Sequence, residues 1–244
     1  MDASALVELL FDASDAAYQA ASRAPDPGPT SRSGQYGLDV AADTAAVTEL
    51  RRAGLSILSE ESGWTQGDPA LVAVLDPIDG STNAYRRIPF FSTSICVFDR
   101  NGPWVGSVVD HAGGRRFHAI RGEGSWRDGG PIRAAGCTSI EQAVVGIAGP
   151  LLSGRQPWQY RALGSASLEF CLVADGSLDA FVLGRGIVLH PWDYLAGLLI
   201  CREAGACVGE AAGRDPWIRV DAPRQPLAAG TPQLMAEIVS ALDV

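Results

Sequence analysis

The chain has 244 residues, 47% of them hydrophobic and 19% charged, with a formal charge of −9. That is enough apolar material for one large domain or two modest halves sharing an interface, and the acidic balance argues against sequence-independent binding to nucleic acid, which needs a basic face. The chain contains no lysine, which excludes Schiff-base chemistry and the lysine of a Walker loop.

No stretch approaches the ~20 consecutive apolar residues of a membrane span. Met1-Asp2-Ala3 opens no basic region followed by an apolar one, so a cytoplasmic location without membrane association is expected. Cys96, Cys137, Cys171, Cys201 and Cys207 are odd in number and form no C-x-x-C pair; they are expected to be reduced and mostly buried. His111, His118 and His190 share no ligand spacing.

Leu6, Leu9, Leu10, Ala13, Ala17 and Ala20 recur at helical spacing, which predicts an amphipathic helix over 5–22. Residues 24–37 are rich in Pro, Ser and Gly and read as an exposed loop. A second helix is expected over 40–52, with Asp39 or Asp43 near its start as a capping or solvated acid. The short strand Leu55–Ser59 runs straight into Glu60 and Glu61.

The strand at 71–75 empties into Asp76-Pro77-Ile78-Asp79-Gly80-Ser81-Thr82-Asn83. Pro77 cannot donate to a ladder, so the strand is expected to end there with the Asp76 carboxylate at its carboxyl end. Asp79 follows one tight turn later. Gly80 leaves room for a ligand to approach the backbone, and Ser81, Thr82 and Asn83 are residue types that open helices, whose free N–H groups attract phosphate. Two carboxylates beside such an anion site repel one another and repel phosphate unless hard divalent cations lie between them. A hairpin turn at Asp79-Gly80 is the plainer alternative, but the stretch before the next apolar segment is long for it.

Antiparallel strands are expected over 91–98, 104–110 and 116–121, punctuated by Asn101-Gly102, Gly113-Gly114 and Asp128-Gly129-Gly130. Gly122-Glu123-Gly124 lacks the third glycine and following helix of a dinucleotide loop. Residues 134–142 read as a joint between halves 1–135 and 136–244. Beyond it the pattern alternates: strand 143–147, a turn-rich segment from Gly149 to Trp158, helix 165–173, strand 178–183, a helix from Trp192-Asp193 through Ala204, a strand near 227–229 and a terminal helix after Thr231-Pro232. On its local sequence, Asp193 reads as a helix N-cap.

Together these segments resemble the inositol monophosphatase superfamily of magnesium-dependent, lithium-sensitive phosphatases. The motifs that carry the resemblance occur in the family's order: Ser59-Glu60-Glu61-Ser62, Asp76 to Asn83, Ile88-Pro89-Phe90, Gly164-Ser165-Ala166, and Trp192-Asp193 followed by Ala196-Gly197 and Glu203-Ala204-Gly205. The resemblance implies an α+β fold layered αβαβα. It implies two or three Mg²⁺ ions: Glu60, Asp76 and the Ile78 carbonyl for the first, Asp76, Asp79 and Asp193 for the second, and a looser third near Glu60. Asp43, Glu60 and Ser81 take catalytic positions, Ser81 and Asp43 activating a metal-bound water that attacks the phosphate directly. Asp79, Gly80, Ser81, Thr82, Ser165, Ala166 and Arg185 fall on the phosphate or substrate side.

The implied activity is hydrolysis of a small polyol or sugar phosphate, inositol monophosphate by default. A homodimer is common among similar proteins. Members that hydrolyse inositol phosphates resemble one another in an acid shortly before the W-D pair, whereas this chain reads Leu183-Gly184-Arg185-Gly186-Ile187-Val188-Leu189-His190, and segment 149–160 is short. These departures lend weight to a 3′(2′),5′-bisphosphate nucleotidase or histidinol-phosphate phosphatase, with fructose 1,6-bisphosphate a further possibility. A regulatory binding protein on the same fold is the reading from a different class.

Overall fold

The computed structural model describes residues 1–150, 156–218 and 222–241. Two helices, α1 (Ala3–Ser22) and α2 (Gly37–Arg52), come first. They are followed by β1 (Leu55–Ser59), β2 (Gly63–Thr65), β3 (Asp68–Asp79), the short helix α3 (Ser81–Arg86), β4 (Ser92–Asp99), β5 (Gly102–Asp110), β6 (Arg115–Ile120), β7 (Gly124–Arg127) and β8 (Gly130–Pro131). Among the described residues these strands form one eight-stranded sheet in the order β2-β1-β3-β4-β5-β6-β7-β8, antiparallel except for β1 against β3.

After a 3₁₀ turn at Ile140–Gln142 come β9 (Val144–Ala148), β10 (Gln159–Arg161), α4 (Ala166–Ala174), β11 (Ala180–Leu183), α5 (Pro191–Glu203), β12 (Cys207–Glu210), β13 (Pro226–Ala229) and α6 (Pro232–Ala241). Their strands make a second sheet, β10-β9-β11-β13-β12.

Burial on alternate strand positions gives the layering. On β3, Ala73 and Leu75 pack with Leu6, Leu10 and Leu50 of α1 and α2, while Val72 and Val74 face the opposite way toward Leu168, Phe170, Leu195 and Leu199 of α4 and α5. The far side of that helix pair takes Phe181 and Ala228 of the second sheet, whose outer face buries Val145, Ile147 and Leu227 against Leu234 and Ile238 of α6. The result is the αβαβα stack. A strand covered on both faces reads as a continuous apolar run instead of an alternating one, as 71–75 does.

Two boundaries that bear on the site differ from expectation, and five short strands escape it. Strand β3 does not stop at Pro77: it continues to Asp79 through a bulge, its pairing stepping from Asp76 opposite Ser94 to Asp79 opposite Ser92. A bulge tolerates a proline because the extra residue owes the ladder no N–H. Helix α2 starts three residues early, at Gly37, because the Asp39 carboxylate accepts the Tyr36 N–H at 2.9 Å. Strands β2, β7, β8, β10 and β12, of two to four residues, are too short for periodicity to reveal. Of the turn-rich segment, 151–155 lie outside the described residues. All five cysteines are free, three of them buried.

The Ala196-Gly197 pair brings α5 close to β5 and to α4. A β-carbon on Gly197 would fall 2.7 Å from the Phe170 β-carbon and from the Ser167 carbonyl. Gly197→Ala is therefore expected to destabilise the protein by about 1–2 kcal/mol, overpacking outweighing the better helix propensity of alanine; urea denaturation measures it.

Candidate metal centre

The site is assembled on the β3 bulge. Asp76 is buried, and its Oδ1 accepts the Ile78 N–H at 3.0 Å, which turns the backbone toward Asp79. Ser94, the β4 residue opposite Asp76, donates its hydroxyl to the Trp192 carbonyl at 3.1 Å. The amino end of α5 is thereby fixed beside Asp76. Asp193 is the third residue of α5 and not its N-cap: its carboxylate accepts the His190 N–H at 2.7 Å. Glu60 enters from the turn after β1, where its N–H is donated to Leu75 O at 3.1 Å. Glu60, Asp76 and Asp193 each present a carboxylate oxygen within 4.8 Å of the others.

Asp79 is engaged differently. Its Oδ2 accepts the Ser165 hydroxyl (2.8 Å), the Ser167 N–H (2.7 Å) and the Ser167 hydroxyl (2.6 Å), while Oδ1 takes only the Ala166 N–H at 3.2 Å. Ser165 and Ala166, assigned to the phosphate from sequence, are thus directed at Asp79. Ser92, opposite Asp79 on β4, completes the knot through hydroxyl contacts of 3.0 Å to Ser165 and Ser167. Oδ1 retains capacity for a further partner, since a carboxylate oxygen offers two lone pairs.

Gly80 earns its place through packing and not through ligand approach. It lies at φ 93°, and a β-carbon there would come within 2.9 Å of the Gly164 carbonyl. Ser81 donates its hydroxyl to the Ile78 carbonyl at 2.9 Å, Thr82 is exposed and meets the Tyr36 hydroxyl at 3.0 Å, and Arg185 is exposed in the turn after β11.

On α2 it is Asp39 whose charge reaches the cluster, helping to raise Glu60. Asp43 lies one helical turn further on, where its carboxylate accepts the Ser59 hydroxyl at 2.5 Å. Asp39 is buried with its Oδ1 lacking a hydrogen-bond partner. The Tyr36-x-x-Asp39 spacing held a signal for this, because a helix with its N-cap at 36 places residue 39 at the capping-box position, turned back toward the helix start. Glu169, which sequence reasoning passed over, is buried too; it accepts the Gly164 N–H at 3.3 Å and holds the turn that presents Ser165.

Among the described residues no arginine pairs with Glu60, Asp76, Asp79 or Asp39. Burial, followed by the charges of Glu61, Asp39 and Asp79, pushes Glu60 up to about 7. Burial likewise raises Asp39 to about 7, against the opposing hydrogen bond from the Tyr36 N–H. Asp76 is driven well above the carboxylate range by burial and then by Glu60, Asp79 and Asp193. Asp79 rises less, because the hydrogen bonds from α4 oppose burial. Burial pushes Glu169 up to about 8. Buried and half-buried carboxylate oxygens clustered in this way fit a hard divalent cation such as magnesium.

The layered fold and the acid cluster define a class of metal-dependent phosphatases, and comparison with known proteins agrees. The chain belongs to the inositol monophosphatase family, whose sequence profile matches residues 37–243. It is 31% identical over 193 residues to the Nus factor SuhB of Escherichia coli (strain K12), covering 72% of this chain and 71% of that one. To the fructose-1,6-bisphosphatase/inositol-1-monophosphatase of Methanothermobacter thermautotrophicus it is 33% identical over 232 residues, covering 85% and 82%. The crystal structure of extragenic suppressor protein suhB from Bartonella henselae superposes with a TM-score of 0.84 at 27% identity, covering 98% of each chain. Among the described residues no helix is long and apolar enough to cross a membrane.

A carboxyl group raised by folding favours the folded state while protonated, and that contribution is lost as pH rises through its folded value. For Glu60 the window runs from the ordinary 4.5 to about 7. The metal-free protein is expected to lose thermal stability between those pH values, and added Mg²⁺ is expected to restore it at the upper end. Calorimetric melting across pH, with EDTA or Mg²⁺, checks both.

Proposed function

We propose that the chain is a Mg²⁺-dependent phosphate monoesterase acting on a small polyol or sugar phosphate, with inositol monophosphate as the default substrate. The observation that carries this reading is the convergence of Glu60, Asp76 and Asp193 from three separate elements to within 4.8 Å. Bound there, magnesium supplies positive charge to the phosphoryl oxygens and lowers the pKa of water.

The chain's own residues do the rest. Glu60, Asp76 and Asp193 would hold the ion, with the Ile78 carbonyl and Asp79 Oδ1 as the further donors that the family resemblance implies. Ser81 orients the attacking water and Asp39, with its unpaired Oδ1, takes the proton through the Ser81 hydroxyl. This replaces Asp43 as the base. The N–H groups of Gly80, Ser81 and Thr82, at the start of α3, face the phosphate. No covalent phosphoenzyme is required. A homodimer in the cytoplasm completes the reading.

A second reading, a regulatory binding protein on the same fold, is favoured by the relatives named as Nus factor SuhB. Phosphate release decides between them: the enzyme reading expects Mg²⁺-dependent turnover on a panel of inositol, histidinol, nucleotide and sugar phosphates, abolished by EDTA, and a flat panel would reject it.

Within the enzyme reading, Asp39→Asn is expected to lower kcat by about 10²–10⁴-fold, the usual worth of a positioned general base. Asp43→Asn is expected to change kcat by less than about tenfold while costing roughly 1–2 kcal/mol of stability through the Ser59 hydrogen bond. The reverse ranking in steady-state kinetics would restore Asp43.

A further inference from the structure

On the other face of the bulge lies a cavity of about 680 Å³, lined by α1, α2, α3 and the ends of β3 and β5. Its size is that of a small-molecule site. Tyr18, Tyr85, Phe91 and His111 contribute rings to its wall, and Arg87 is the one charged residue lining it. Tyr18 and His111 are stacked, their centroids 4.6 Å apart and their planes within 8°. Phe91 lies 6.1 Å from each. Flat rings close together with apolar Leu38, Ile78 and Ala84 make a slot that suits a planar ligand.

The charge of that ligand follows from the arginine. The chain carries more acids than bases, at −9 overall, and most of its arginines with recorded partners face carboxylates. Arg87 has no hydrogen bond or ion pair among the described residues, apart from its own backbone N–H, which closes α3 onto the Ala84 carbonyl. It also holds a left-handed backbone, φ 60°, unusual for a side chain of its size. His111 adds no charge. The Thr93 hydroxyl gives its single hydrogen to the Pro77 carbonyl at 2.7 Å and so accepts from His111 Nε2, 2.8 Å away. The ring is thereby tied through Thr93 to the backbone of the bulge, and burial, which lowers its pKa to about 4, keeps it a neutral imidazole.

We propose that this cavity is a second ligand site, separate from the acid cluster, that binds a planar aromatic anion with its ring among Tyr18, Phe91 and His111 and its anionic group on Arg87. Carboxylate and phosphate share the chemistry the arginine reads. The wall residue Ile78 donates its N–H to Asp76 and offers its carbonyl to Ser81, so an occupant bears on the backbone that carries the acids.

The test uses the full chain with EDTA present, so that no metal draws the anion and the outcome is independent of phosphatase activity. Naphthalene-2-carboxylate is titrated by calorimetry, and the methyl resonances of Ile78, Ala84 and Ala112 are followed by NMR. Saturable binding that shifts these methyls is expected, weaker by about tenfold for naphthalene-2-methanol and for Arg87→Gln, the fold-change of one lost charge-assisted contact. Naphthyl phosphate is expected to bind at least as well as the carboxylate. Equal affinity of the neutral alcohol on the wild-type protein would overturn the proposal even if the variant failed to fold, as would shifts confined to methyls outside the cavity. Binding lost on Tyr18→Ala, with the circular dichroism spectrum unchanged, is the second expected result.

Discussion

The structure depends on one carboxylate placed against the start of a helix. Asp79 accepts four hydrogen bonds from Ser165, Ala166 and Ser167, two of them from N–H groups that α4 leaves open at its first turn. Because Asp79 belongs to the eight-stranded sheet and α4 to the layer beneath it, this contact sets the helix layer's position along the bulge. Ser92 on β4 makes the same join from the neighbouring strand. Two residue pairs along, Ser94 fixes α5 through the Trp192 carbonyl. Both middle helices are thus tied by their amino ends to the β3–β4 pair, and Asp193 reaches Asp76 because of it.

The arrangement works against the electrostatics of the folded chain. Asp39, Asp76 and Asp79 are all buried, and the charges of Asp39 and Asp79 help to raise Glu60. A carboxylate taken out of water without a partner is costly, and neighbouring like charges add to that cost. An apolar core on both sides of β3 holds the acids in place all the same. Such local conflict between stability and placement is what a binding centre demands, because a cation must find its donors already gathered.

Much of this was legible in the sequence. The Asp76–Asn83 block announced itself because charge at the end of an apolar strand is rare without purpose, and Trp192-Asp193 gained meaning only through its company in the chain. What the sequence hid was three-dimensional. Local reasoning gave Asp193 a capping role, and it does accept the His190 N–H; the same carboxylate also reaches the cluster, which no local pattern can reveal. Asp39 and Asp43 sit one helical turn apart on α2, so both point to the same side. Only the start of the helix at Gly37 and the reach of Ser59 separate their roles, Asp39 turning back to the Tyr36 N–H and Asp43 taking the Ser59 hydroxyl. Pro77 misled for a similar reason: a rule about ladder hydrogen bonds holds for regular strands, and the site is built where the strand is irregular.

That irregularity also explains why the family's motif is so compact. A bulge puts Asp76 and Asp79 on the same stretch of backbone with different neighbours: Asp76 faces Glu60 and Asp193, and Asp79 faces α4. A regular strand would have sent residues three apart to opposite faces of the sheet. Ile78, between them, turns its side chain into the ring-lined cavity while its amide and carbonyl serve Asp76 and Ser81. The backbone from 76 to 81 therefore has an acidic face and an aromatic face. Any force that shifts Ile78 must be felt by both, since close-packed interiors transmit small displacements instead of absorbing them.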